Sequence, residues 1–252
     1  MRKFAIINSI GEAYELNDLR NFFHDPTGLG YTRRAEFAKI GNTYKILENT
    51  IEQPAPAGQI CFKDEIQSPA YSKYVKFTRF LQKTPLTLIY KSDRAHKMEV
   101  IPEAIEKTEI SKPLGLDISI TFRALSLWYD EVEESGTSSA NILSDSVEKC
   151  ACHIEVTGTL TNPTWTQSVN GVQIASGQVT ASIANGETLH IRTDTNPYQI
   201  YKESSLGVKT NLYSSSNFST ERFLLIREGK NVISCAEASS IKIKARLEYG
   251  TV

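Results

Sequence analysis

The sequence predicts a mainly β chain in two domains: an N-terminal β-sandwich or split barrel with one α-helix over residues 1–130, then a C-terminal jelly-roll β-sandwich over 131–252. Three observations predict this. Apolar and polar residues alternate with period two, most clearly where Leu116, Ile118, Ile120 and Phe122 interleave with Asp117, Ser119, Thr121 and Arg123, as in a half-buried antiparallel strand. A single stretch near 70–83 carries helical spacing instead. Past "DEVEESGTSSANILSDS" (130–146), which is acidic, then Ser/Thr/Gly-rich and has the composition of a linker, no helical period returns.

In chain order, "KFAII" (3–7) is a short strand, and "SIGEAYEL" turns at Gly11 into a second. "FFHDPTGLGYTRR" (22–34) invites two readings, a phosphate-cradling loop or a plain turn. A dinucleotide loop needs a third glycine, where Arg33 stands, and a helix after it. Instead "RAEFAKIGNTY" alternates like a strand, and the Gly-Lys-Ser/Thr of a Walker loop is missing. Gly28 and Gly30 are therefore expected to supply positive backbone angles in a turn after Pro26.

"AEFAKIGNTYKILENTIEQ" gives a strand, a Gly41-Asn42 turn and a strand. Pro54 and Pro56 exclude a central strand and favour an extended arm, beyond which Ile60 and Phe62 alternate again. In the helix, Ser68 caps and Pro69 suits the first turn. Tyr71, Tyr74, Val75, Thr78 and Leu81 form its apolar stripe, with Lys73, Lys76, Arg79 and Lys83 as the solvated side. Phe77 and Phe80 fall off the stripe, so the helix is expected to be covered on two sides, and Pro85 ends it. Strands resume at 86–91, 97–111 and 114–130. In the second half, "HIEVTGTL", "QSVNGVQIAS", "QVTASIANGETLHIRTD" and "SIKIKARLEY" alternate between turn signals such as Asn170-Gly171 and Asn185-Gly186.

Composition narrows function. Lys and Arg number 28 against 29 Asp and Glu, without the basic stripe of a nucleic-acid binder. The longest apolar runs resemble "LTLIY" (86–90), far from the roughly 20 residues of a membrane helix. The apolar stretch after Lys3 is too short for a signal peptide, so a cytosolic site of synthesis and assembly is expected. Cys61, Cys150, Cys152 and Cys235 match no disulfide framework. In "CACH" the C-x-C spacing lacks a second ligand pair, and a strand puts Cys150 and Cys152 on one face and His153 on the other, which favours strand core over zinc. His24, His96, His153 and His190 are scattered, and neither G-x-S-x-G nor H-E-x-x-H occurs. No catalytic residue, cofactor or metal is expected.

The succession "FAIINSIGEAYELND", "TGLGYTR", "IGNTYKI", "YSKYVKFTRFL" with "TPLTLIYK", and "ITFRALSLWYD" resembles the siphophage distal tail protein family, often called Dit. "TNPTW", "NGVQI", "NGETLHIRT" and "REGKNVIS" are similar to its galectin-like C-terminal sandwich. The resemblance implies a structural virion protein, not an enzyme. It implies a homohexameric ring at the tip of a long non-contractile tail, built by the N-terminal domains. Its partners would be the tail tube protein above, a tail-associated hub or lysin protein below, and baseplate or receptor-binding proteins, with DNA only in transit and no membrane.

Two residue sets follow as expectations. Pro54, Pro56, Ile60 and Phe62 would form an arm ordered by a neighbouring subunit. Glu103, Glu106 and Glu109 would face the channel, or else form an ordinary solvated strand face. The alternative function is a carbohydrate-binding module or adhesin for cell-wall glycans, with Trp165, Tyr198, Tyr201 and Tyr213 as a stacking platform; the competing reading of Trp165 is a core aromatic.

Overall fold

The structure, a computed structural model, describes residues 3–17, 21–63, 69–109, 115–218, 221 and 223–251. It is mainly β, with one α-helix among the described residues, and it divides into two compact units. The first runs to Tyr129 and includes the chain end from Gly250; the second is Asp130–Tyr249.

The first unit contains β1 (Lys3–Ile7), β2 (Ala13–Glu15), β3 (Asn21–Thr27), β4 (Arg33–Ile40), β5 (Thr43–Ile51), β6 (Ala57–Lys63), α1 (Ala70–Leu81), β7 (Leu86–Lys91), β8 (Ala95–Glu109) and β9 (Gly115–Ala124). Hydrogen bonding runs β2-β1-β7-β8-β9-β6-β3, every pairing antiparallel. The alternation read in β9 is realised: Leu116, Ile118, Ile120 and Phe122 are buried. They share the core with Phe4, Ile6, Leu88, Met98 and the α1 residues Phe77 and Leu81.

The helix begins one residue after Pro69; the expected cap, Ser68, lies outside the described residues. Its phase differs from the expected one. The buried face is Ala70, Lys73, Phe77, Phe80 and Leu81, while Tyr71 is exposed. The two phenylalanines set the phase because they stack on aromatic partners, Phe77 on Tyr14 and Phe62 with ring centres 4.9 and 5.6 Å apart. Lys73 therefore sits on the inner side, where its stem is buried and its ammonium donates to the Lys63 carbonyl at 2.7 Å.

The 130–146 segment is not a linker. It forms most of β10 (Trp128–Gly136) and all of β11 (Ser139–Ser144), where Ala140, Ile142 and Ser144 alternate inward. Composition concealed a strand whose period was present. The second unit continues with β12 (Cys152–Thr157), β13 (Leu160–Thr161), β14 (Thr164–Val169), β15 (Val172–Val179), β16 (Ser182–Ile183), β17 (Thr188–Arg192), β18 (Gln199–Glu203), β19 (Lys209–Asn211), β20 (Ser216–Phe218), β21 (Gly229–Ser234) and β22 (Ser240–Tyr249). One sheet runs β19-β18-β17-β12-β22 and the other β11-β21-β14-β15-β20. Ile154, Leu189, Ile191 and Ile243 from the first share one core with Ala140, Ile142, Trp165 and Ile233 from the second, so this unit is a β-sandwich.

Candidate functional site

The loop after β3 is a turn. Gly28 has φ of 69°, but Gly30 does not adopt a positive angle, contrary to expectation. Gly28 is needed for close approach as well as angle, since a Cβ there would lie 2.3 Å from the Ala55 carbonyl oxygen. In the same stretch His24 Nδ1 lies 2.8 Å from its chain neighbour Asp25 Oδ2.

Between Gly28 and Ala55 the chain runs out and back as β4 and β5, which form a sheet of their own. The hairpin closes through the two-residue loop Gly41-Asn42. Phe37 pairs with Ile46 and Lys39 with Tyr44 across the strands, so the three apolar side chains share one face. All three are exposed, as are Ile40 and Leu47. The sequence marked this segment as a hairpin but not as an exposed apolar face; period two identifies a face without saying what covers it.

The Pro54–Phe62 stretch is placed differently from the expected arm. Pro54 and Pro56 are in extended backbone whose carbonyls accept from Ala124 and Phe122 N–H at 3.0 and 2.8 Å. Ile60 and Phe62 are fully buried on β6, between β3 and β9. They are ordered by their own subunit. Two prolines break pairing locally, but pairing resumes at Ala57, directly after Pro56.

The glutamates fall on β8. Glu103 sits at a register shift and pairs with the Arg123 guanidinium. Glu106 is exposed and lies opposite Ser119, and Glu109, opposite Leu116, has a side chain outside the described residues.

In the second unit Tyr198, Tyr201 and Tyr213 line one cleft of 1090 Å³, together with Phe223, Asn196, Asp194, Lys209 and Asn211. Trp165 is core, 2% exposed. Cys150 and Cys152 are buried, as expected of strand core, and desolvation pushes the Cys152 thiol up to about 12. His153 points the other way and meets His190, with Nε2 and Nδ1 2.9 Å apart. Glu155 Oε1 is 3.8 Å from His153 Nε2, and Glu203 Oε2 is 3.8 Å from His190 Nε2. Burial, with the Arg192 charge beside it, pushes His153 down to about 4; burial also lowers His190 against the pull of Glu155 and Glu203. Sequence reading took these histidines as scattered. The signal that unites them is register, since β12–β17 pairing sets Glu155 opposite His190 and His153 opposite Arg192.

Residues 3–125 match the family model described as "Distal tail protein, N-terminal domain". Across the whole chain the fold is similar to a chain of the phage P2 baseplate in its activated conformation with Ca, at 14% identity and TM-score 0.62, covering 100% of both chains. It is also similar to the SPP1 Dit protein, described as a paradigm of hub adsorption apparatus in phages infecting Gram-positive bacteria, at 9% identity and TM-score 0.69, covering 96% of this chain and 98% of that one. No curated protein sequence matches the chain. The matched domain and the fold define a structural component of a phage tail. Over residues 3–125 the chain carries the N-terminal domain of the distal tail protein family.

Proposed function

We propose that six copies of this chain form a ring at the distal end of a siphophage tail, joining the tail tube to the tail-associated hub and to baseplate or receptor-binding parts. The ring is assembled in the host cytoplasm, its central channel passes DNA, and the second unit is its galectin-like sandwich. The observation that carries the reading is the β4–β5 hairpin, inside the matched domain, with Phe37, Tyr44 and Ile46 exposed on one face. Exposed apolar surface beyond scattered residues marks an interaction site. A neighbouring copy is the proposed occupant, since cyclic symmetry repeats each interface around a ring. In place of Pro54–Phe62, this hairpin becomes the inter-subunit arm.

The test is the native mass of the purified chain, with negative-stain images. Rings are expected for wild type, and monomers for Phe37→Ser with Ile46→Ser, with far-ultraviolet circular dichroism retained. Rings in the double variant would sink the hairpin's role; a wild-type chain monomeric at tens of micromolar would sink the ring.

For the channel, exposed Glu106 with Glu103 is proposed to keep the lumen free of phosphate contacts. Wild-type rings should not retain duplex DNA at physiological salt. Glu103→Lys, Glu106→Lys and Glu109→Lys together should create salt-sensitive retention; a triple-variant ring that binds no DNA removes these residues from the lumen.

A second reading rests on the cleft of Tyr198, Tyr201, Tyr213 and Phe223, which combines aromatic faces with Asn196, Asp194 and Asn211 as a glycan site does. A host cell-wall glycan array probed with the full chain and with Tyr198→Ala tests it; equal signals discard it.

A further inference from the structure

We propose that His153, Glu155 and His190 form a binding site for a borderline transition-metal ion of the Zn²⁺ class on the outer face of the second unit's sheet. Three ligand atoms on adjacent antiparallel strands lie within 4.8 Å of one another. Tetrahedral zinc with bonds near 2.0–2.1 Å places its ligands about 3.3 Å apart. Two of the three separations, 2.9 Å between the imidazole nitrogens and 3.8 Å from His153 to Glu155, bracket that value, and the third, from His190 to Glu155, is within 4.8 Å, so that the Glu155 carboxylate closes on the ion by a side-chain rotation.

The surroundings suit a ligand set. His190 turns Nδ1 toward His153 and Nε2 toward the Glu203 carboxylate, which is the carboxylate–histidine arrangement that orients metal-bound imidazoles. Its ring lies against Tyr201, centres 4.7 Å apart, which limits its rotation. Two imidazoles and one carboxylate suit zinc, cobalt or nickel, whereas calcium requires six to eight oxygens.

Nearby cations define the competition. Arg192 is held by Asp194 through two bonds of 3.0 and 2.8 Å, and Lys209 lies 3.7 Å from Glu203. Among the described residues the cation bonded to a ligand is Lys244, 2.6 Å from Glu155 Oε1, with a side chain 42% exposed and room to swing into solvent. Metal binding must displace it, so its removal should strengthen binding.

The experiment is calorimetric titration of the untagged full chain with Zn²⁺, with Co²⁺ absorption as a ligand-type readout. One saturable site is expected. Binding should be lost in His190→Ala, fall about 10-fold or more in Glu155→Gln and in Glu203→Gln, and tighten several-fold in Lys244→Met. The Lys244 variant keeps the test independent of folding losses. Absence of saturable binding at millimolar Zn²⁺, wild-type affinity in His190→Ala, a thiolate-type cobalt spectrum, or equal binding of Ca²⁺ would each overturn the site.

Discussion

The two units solve the same packing problem with different surfaces. The second unit closes its core between two sheets, and its polar side chains are largely paired on the outer faces, Arg192 with Asp194, Lys202 with Glu187 and Lys244 with Glu155. The first unit buries an apolar core that includes Phe77 and Leu81 of α1 but extends a hairpin, a two-stranded sheet of its own, that leaves Phe37, Tyr44 and Ile46 exposed on one face. Stability and assembly are thus separable in this chain: one set of residues decides whether a unit folds, and another decides whether it finds a neighbour.

The largest expected effect breaks the first unit alone. Trp128 is fully buried and its indole N–H donates to the Leu29 carbonyl at 3.0 Å. Trp128→Ala should cost about 3–5 kcal/mol. Hydrogen exchange read by mass spectrometry should show lost protection in β7 and β8 while β12 and β17 keep theirs.

Acid should act on the second unit. His153 has a folded pKa of about 4 against an ordinary 6.5, so the unfolded chain binds the extra proton. Its neutral form therefore contributes stability that is present in full above pH 6.5 and is lost as pH falls toward 4, by at most about 3 kcal/mol. His190 shifts in the same direction, while Glu155 and Asp194, both lowered, lose their contribution at still lower pH. Denaturant midpoints between pH 7 and 4 should fall for wild type and less for His153→Gln.

Glycine substitutions sharpen the contrast further. Gly28→Ala meets both an unfavourable φ and the Ala55 backbone, and should cost about 2–3 kcal/mol. Gly171→Ala has φ of 84° but open space around it, so about 1 kcal/mol is expected. Thermal denaturation of the two variants checks the difference.

The smallest stability effect belongs to the hairpin. Phe37→Ser with Ile46→Ser should leave monomer unfolding within about 0.5 kcal/mol of wild type, as exposed positions do, even where assembly is lost.

Much of this was legible in the sequence wherever one side of a strand is buried and the other wet. Residues 116–123 of β9 are an example, because alternate burial writes a period of two directly into the residue types. Other features were hidden for identifiable reasons. β10 and β11 are rich in acidic and hydroxyl residues because their outer faces are wet, so composition imitates a linker. The helix phase was missed because a long lysine stem can lie on an inner face while its head reaches a carbonyl. The His153–Glu155–His190 cluster depends on which strands pair and in what register, which local pattern does not encode.

The contact between Gly28 and Ala55 has a consequence for how such a chain can vary. Together with the Thr27–Ala57 pair and the 2.8 Å bond from Glu52 N–H to the Thr32 carbonyl, it pins the root of everything from 29 to 54. A segment fastened at its root can change length at its tip while the core registers nothing, because loop-closure entropy grows only logarithmically with added residues. The hairpin is therefore the place where residues can be inserted or removed at little cost to the fold, and where the reach of the molecule toward whatever adjoins it is free to be reset.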